Sequence, residues 1–234
     1  RGDTWAAYQA VRDNLAGGFS GFLRHGKDHT ILSLSPERFL QVHDGVITTQ
    51  PIKGTSARHL DVTADRASAT SLLSSDKDRA ENVMITDLLR NDLGRFCEAG
   101  SVKVTELCGL YSFDNVHHLI STITGRLASG ISAGNVMIAS SPGGSITGAP
   151  KKRAVEIIAE LEPHARGAYC GSLFAMTGDG WLQSSIAIRT LEAKGTSLYC
   201  WGGGGITASS HWEAEYQETL DKIGPIMKAL EAPH

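Results

Sequence analysis

Apolar residues recur at helical spacing in several stretches of the chain and alternate with polar ones in others, which predicts helices set between runs of short strands. Trp5, Tyr8, Val11 and Leu15 share one face of a helix over Asp3 to Leu15, ended by Gly17 and Gly18. Phe19 to Leu23, Thr30 to Leu34, Phe39 to Val42 and Val46 to Thr49 are β-type runs. Turn residues at Gly26-Lys27-Asp28, Ser35-Pro36-Glu37-Arg38 and Asp44-Gly45 separate them, so they predict a meander. From Asp61 to Leu93 the period is helical, with a break near Ser74-Ser75, where Ser75 and Asp78 have capping-box spacing. Val102 to Cys108 and His117 to Thr124 read as strands, and Ser132 to Ala139 as a helix. A glycine-rich loop from Ser141 to Lys151 opens a helix over Lys152 to Leu161, with Pro150 suited to its first turn. Ala168 to Met176, Trp181 to Leu191 and Ser197 to Trp201 predict a second meander. The last helix, Ser210 to Leu230, contains Pro225, which removes a backbone donor and predicts a kink or a split.

Composition narrows the class. The 234 residues are 41% hydrophobic and 20% charged, enough for a sizeable core in one domain over 1–234. A net charge of -3 gives no basic footprint for nucleic acid, and no apolar run is long enough to span a membrane. Cys97, Cys108, Cys170 and Cys200 form no Cys-x-x-Cys pair, so the expectation is a reducing, cytoplasmic setting without a zinc site or a disulfide framework. No signal peptide is visible and the first residue is Arg1, so the chain is expected to begin inside a larger polypeptide.

Candidate chemistry centres on Pro51-Ile52-Lys53-Gly54-Thr55. Proline fixes one backbone angle and glycine permits an otherwise blocked path, so Lys53 is expected on a stiff, tightly turned support. On the helix after Ser75, Glu81 shares a stripe with Met84, Ile85 and Leu88, with Asp78 and Asp92 close by. A carboxylate on an apolar face needs a cation: Arg79, Arg90, a more distant base, or a metal ion. Near the C-terminus Glu215, Glu218 and Lys222 share a stripe beside Tyr216, Leu220, Ile223 and Met227. Glu218 and Lys222 have the spacing of a helix ion pair; with Glu81, however, the acids make an all-oxygen set suited to Mg²⁺.

The loop from Gly143 to Lys151, including Gly144, Ser145 and Thr147, offers free backbone N–H groups at a helix start, an anion cradle without the Walker ending. Arg189, placed on a strand from Ser184 to Leu191, shares the small-residue face of Ser185 and Ala187, where a ligand carboxylate has room. Glu37 and the pair His117-His118 are candidates for proton transfer, and a strand puts the two rings on opposite faces, so one of them at most serves a given pocket.

The strings SLSPERF, PIKGT, DRAENVMITDLLRNDLGR, HHLISTITG, PGGSITGAPKKRAVEIIAELEP and AEYQETLDK together resemble the chorismate-binding enzymes, in particular their aminodeoxychorismate synthase component I branch. The resemblance covers nearly the whole chain. It implies an α+β fold of two packed antiparallel sheets flanked by helices. It also implies Mg²⁺ on Glu81, Glu215 and Glu218 with Asp78 nearby. Substrate carboxylates would be met by the Gly143 to Lys151 loop, Tyr169, Arg189, Gly203, Gly204 and Lys222. Lys53 would be a covalent nucleophile, in a slot where anthranilate synthases usually carry alanine, with Glu37 as acid and His118 as a further proton-transfer group. The implied reaction converts chorismate and ammonia to 4-amino-4-deoxychorismate on the route to p-aminobenzoate and folate, with ammonia from a separate glutamine amidotransferase subunit. The family's domain normally starts earlier than Arg1, so an N-terminal part is expected to be missing. The competing expectations are an anthranilate or isochorismate/salicylate synthase and a truncated, non-catalytic binding module.

Overall fold

The computed structural model describes residues 3–15, 17–208 and 210–231. It is α+β, with two antiparallel sheets and six α-helices among the described residues. The chain divides into two compact units, each assembled from separate stretches: 1–37, 162–173 and 185–234 in the first, 38–161 and 174–184 in the second.

The first unit holds a four-stranded sheet in the order β1 (Phe19–His25), β2 (His29–Ser35), β10 (Thr190–Lys194), β11 (Ser197–Cys200). Its helices are α1 (Thr4–Asn14), capped by the Asp3 side chain, and α6 (Trp212–Glu231). Period-two alternation sends Leu32 and Leu34 of β2, with Leu191 and Ala193 of β10, into a core completed by Tyr8, Val11, Ile226 and Ala229. The opposite face of the same strands is polar yet buried: Ser33 Oγ meets Thr190 Oγ1 at 2.8 Å, and His29 Nε2 lies 2.6 Å from Glu192 Oε1.

The second unit is built on a seven-stranded sheet in the order β5 (Ile52–Ala57), β7 (Val116–Arg126), β4 (Val46–Gln50), β3 (Arg38–His43), β9 (Leu182–Ile186), β8 (Ser172–Met176), with β6 (Lys103–Ser112) also on β7. Helices α2 (Val62–Leu73) and α3 (Asp76–Gly94) pack on β5, β6 and β7, and α4 (Ala133–Ser140) and α5 (Lys151–Leu161) follow. Side chains of Asp61, Ser75 and Ser132 accept backbone N–H groups at the starts of α2, α3 and α4, as N-caps do.

Neither expected meander stays in one sheet. The strands flanking Ser35-Pro36-Glu37 part, β2 pairing with β10 and β3 with β4 and β9; the later run parts in the same way between β9 and β10. Arg189 therefore stands outside a strand, in the corner between β9 and β10, with φ 47°. Its expected alternation with Ser185 and Ala187 does not apply, because the extended backbone stops at Ile186. Helix α6 runs on through Pro225 and is not split, its last turns anchored by the buried Ile226 and Ala229.

Candidate active site

In the second unit one edge of β7 is shared by β4 and β5, and the chain passes from one to the other at Pro51. Lacking an N–H, Pro51 cannot donate to the ladder, yet its carbonyl accepts from Ser121 N at 3.3 Å. Ile52 pairs with Ile120 and Thr55 with His118, so Lys53 and Gly54 together oppose Leu119. The expected turn is thus a β-bulge inside a strand; proline and a left-handed glycine (φ 87°) mark irregular backbone in either case. Such a bulge re-aims a side chain. Half-buried Lys53 points its Nζ to within 3.5 Å of the Ser145 carbonyl oxygen, which brings together lysine and glycine-rich loop.

Helix α3 fixes both. Its first turn packs Asp78 against Gly54, and further along Leu88 lies where a Gly144 Cβ would come within 2.8 Å. Asp92 takes Lys151 Nζ at 2.7 Å, so Lys151 is committed to an ion pair at the loop's end. The loop holds a short 3-10 turn, Gly144–Ile146, braced by Thr147 Oγ1 donating to the Gly143 carbonyl at 2.9 Å. Pro150 stands one residue before α5 and accepts Ala154 N. The buried face of α3 runs through Asn82, Ile85, Thr86, Leu89 and Leu93; Met84 is 48% exposed. Glu81 flanks that face, 4.0 Å from Lys77 one helical turn before it.

The helix is held in register by a network that the sequence reading missed. Asn82 Nδ2 donates to the Leu119 carbonyl at 3.1 Å, Ser121 Oγ donates to Asn82 Oδ1, and Cys108 N donates to Ser121 Oγ. The available signal was an asparagine in the middle of an apolar stripe, where an unsatisfied amide would be costly. Both histidines are buried: His118 Nδ1 meets Thr55 Oγ1 at 2.8 Å, and His117 is taken up by Asp65 and Ser112.

The first unit gathers the remaining candidates around Gly202 to Gly205. Three neighbouring glycines are there for close approach: a Cβ on Gly202 would come within 2.7 Å of Ile223, on Gly203 within 3.0 Å of the Tyr169 hydroxyl, and on Gly204 within 3.1 Å of Glu215 Oε2. Lys222 Nζ donates to the Gly203 carbonyl at 3.2 Å and sits 2.6 Å from Glu218 Oε1. The helix-pair alternative for Glu218 and Lys222 is therefore realised. The buried face of α6 starts at Glu215 and continues to Ile226 and Ala229, whereas Tyr216 and Met227 face outward. Glu215 is 6% exposed and accepts a 2.7 Å hydrogen bond from Ser210 Oγ, a partner not foreseen. The Tyr169 ring stacks on Trp201 at 6.4 Å, and burial pushes its hydroxyl pKa upward; burial likewise takes the Cys170 thiol up to about 11.

Glu37, a turn residue for which solvation is the ordinary expectation, is buried, its amide donating to Ser35 Oγ and its carbonyl accepting from Ile186 N. Arg189 is largely desolvated, which lowers the guanidinium pKa, and no protein group among the described residues pairs with its side chain. A half-buried guanidinium in that state is a ready site for an anionic ligand.

The sequence matches the family described as chorismate binding enzyme over residues 1–228. The chain belongs to that family. It is 54% identical over 230 residues to aminodeoxychorismate synthase component 1 of Salmonella typhimurium, covering 98% of this chain and 50% of that protein. Against anthranilate synthase component 1 of Pseudomonas aeruginosa it is 41% identical over 223 residues, covering 95% and 45%. Among solved structures, anthranilate synthase component I from Streptococcus pneumoniae superposes with a TM-score of 0.86 at 36% identity, covering 97% of this chain and 50% of that one. This chorismate binding chain spans about half the length of the relatives it matches. No helix among its described residues is long and apolar enough to cross a membrane.

Among the described residues no group of three or more His, Cys, Asp or Glu side chains is arranged as a metal centre. The donor chemistry of Glu81, Glu215 and Glu218 nevertheless fits a hard divalent ion, being all carboxylate oxygen.

Proposed function

We propose that this chain is the chorismate-binding catalytic part of an aminodeoxychorismate synthase, making 4-amino-4-deoxychorismate from chorismate and ammonia. The observation that carries the reading is Lys53, set on a bulge and aimed at the glycine-rich loop. The higher identity to an aminodeoxychorismate synthase component 1 than to an anthranilate synthase component 1 supports it.

In this reading the free amine of Lys53 attacks ring carbon C2. Both ring double bonds shift by one place, the C4–O bond breaks, the hydroxyl leaves as water with a proton from Glu37, and the attacking nitrogen gives up a proton. Ammonia then bonds to C4 and loses a proton, both double bonds return to their original places, and the C2–N bond breaks as the Lys53 nitrogen takes up a proton. Arg189, Lys222, Tyr169 and the backbone at Gly203 and Gly204 receive substrate carboxylate, and the amides of Gly143, Gly144, Ser145 and Thr147 are further candidates to receive one. His118, oriented by Thr55, is the second proton carrier.

Glu81, Glu215 and Glu218 would hold Mg²⁺, which when bound supplies fixed positive charge opposite a substrate carboxylate. Ammonia comes from a glutamine amidotransferase subunit, consistent with the "component 1" name of the relatives. A cytoplasmic setting fits cysteines that are all unpaired among the described residues.

The test is mass spectrometry of the protein incubated with chorismate and Mg²⁺ in the absence of ammonia. The expected result is an adduct of chorismate less one water on the Lys53 peptide, absent from Lys53→Ala. With ammonia added, 4-amino-4-deoxychorismate should form; anthranilate or isochorismate as the product would overturn the reading.

A further inference from the structure

Ser112, His117 and Asp65 form a hydrogen-bonded chain outside the site described above. The β6–β7 hairpin sets its first link, because its register places Ser112 directly opposite His117. Ser112 Oγ lies 2.8 Å from His117 Nδ1, and His117 Nε2 lies 3.1 Å from Asp65 Oδ1 in the first turn of α2. The imidazole is 3% exposed while Ser112 is on the surface. Asp65 also accepts from Arg58 Nε at 2.9 Å and from His59 N at 2.9 Å, so it is held as the carboxylate.

The direction of each bond follows. A carboxylate only accepts, so in the neutral ring Nε2 carries the proton and Nδ1 is the acceptor. The Ser112 hydroxyl therefore donates to Nδ1. This is the arrangement that activates a serine: a base at hydrogen-bond distance, itself oriented by a third group. The ring nitrogens exchange places relative to the better-known serine hydrolase order, but the roles do not.

We propose that Ser112 is an acyl-accepting nucleophile, with His117 as its base and Asp65 orienting the ring, reactive toward small activated esters. In the step, Ser112 Oγ bonds to the acyl carbon and its proton passes to His117 Nδ1. The ester C–O bond breaks, the alkoxide or phenolate departs, and the imidazolium returns its proton to solvent. Arg58 draws charge from Asp65, so the carboxylate is a weak partner for an imidazolium; a single acylation rather than sustained turnover is expected.

4-Nitrophenyl acetate is the probe. One 4-nitrophenolate per chain should be released in a burst, and peptide mapping should place an acetyl group on Ser112, formed about 10²-fold faster than in the same protein unfolded in urea. His117→Gln should slow acylation by a similar factor, and Ser112→Ala should abolish that adduct while Lys53 and surface lysines label as before. Ser112 left unmodified in the native protein while lysines are acetylated, or modified at equal rates folded and in urea, would overturn the proposal. Because the mapping is done on the unaltered protein, the result stands whether or not a variant folds.

Discussion

Gly54 lies against the Asp78 side chain so closely that a Cβ on the glycine would stand 2.9 Å from Asp78 Cβ, with the backbone at φ 87°. The bulge that presents Lys53 thus depends on this glycine twice, for its torsion and for its space.

Gly54→Ala is expected to destabilise the fold by about 2–3 kcal/mol, combining the left-handed backbone penalty with a contact that neither neighbour can relieve cheaply. Because the bulge carries Lys53, chorismate adduct formation should slow even at temperatures where the variant is folded. Denaturant unfolding and adduct mass spectrometry check the two effects separately; a wild-type midpoint with a wild-type adduct rate would show that the bulge is not constrained as described.

How much of this could be read beforehand depended on whether the signal was local. The cap at Ser75 was legible, because a capping side chain and its N–H are three residues apart, and so were the helices that start near Asp61 and Ser132, although the caps at those two residues were not read. Pro51 and Gly54 announced an irregular backbone but not whether it was a turn or a bulge, since that choice is made by pairing with β7. The division of each expected meander between two sheets was invisible for the same reason: β2 joins β10, a partner far along the chain. Arg189 was found as a chemical candidate through a strand alternation that the fold does not contain. Asn82, which holds α3, escaped because its partner Leu119 is set by tertiary packing; Ser210 is only five residues from Glu215, but it stands outside the helical stripe on which the acids were read.

Arg189 has its carbonyl fixed by Leu34 N at 3.1 Å, so a change of side chain should leave the backbone corner intact. Arg189→Lys is expected to unfold at the parental temperature but to lower kcat/KM for chorismate by roughly 10- to 100-fold, mostly through KM. The cause is the loss of a planar two-donor contact with a carboxylate, worth about 1.5–3 kcal/mol. Steady-state kinetics at fixed Mg²⁺ measure it, and an unaltered KM would remove Arg189 from the substrate site.

The two C-terminal acids should respond differently to amide substitution. Glu218 and Lys222 are both substantially exposed, so their 2.6 Å pair contributes little and Glu218→Gln should change stability by no more than about 0.5 kcal/mol. Loss of a metal-binding carboxylate, in contrast, should weaken Mg²⁺ binding at least about 10-fold by calorimetry. Glu215→Gln should both weaken Mg²⁺ binding and destabilise the fold, since Glu215 is buried and bonded to Ser210. Equal Mg²⁺ affinity in parent and both variants would dismiss these residues as ligands.

Acid should release the link between α2 and the β6–β7 hairpin. The Asp65 carboxyl is held well below the usual carboxylate range, first by the Arg58 hydrogen bond, then by the His59 amide, with desolvation opposing and His117 adding a smaller push downward. A depressed folded pKa means that the unfolded chain binds the proton more readily than the native one. The resulting stabilisation is complete above the unfolded value near 3.9 and disappears as pH falls toward the lower folded value. Asp65→Asn carries no such titration. At pH 7 the parent should therefore resist urea better than the variant, and below about pH 4 the difference between their midpoints should shrink steadily. Other acids shifted downward, Glu192 and Asp179 among them, titrate in both proteins and cancel from the comparison. A midpoint difference that stayed constant from pH 7 to pH 3 would mean that Asp65 acts through shape alone, and the charge-held connection to Arg58 and His117 would have to be given up.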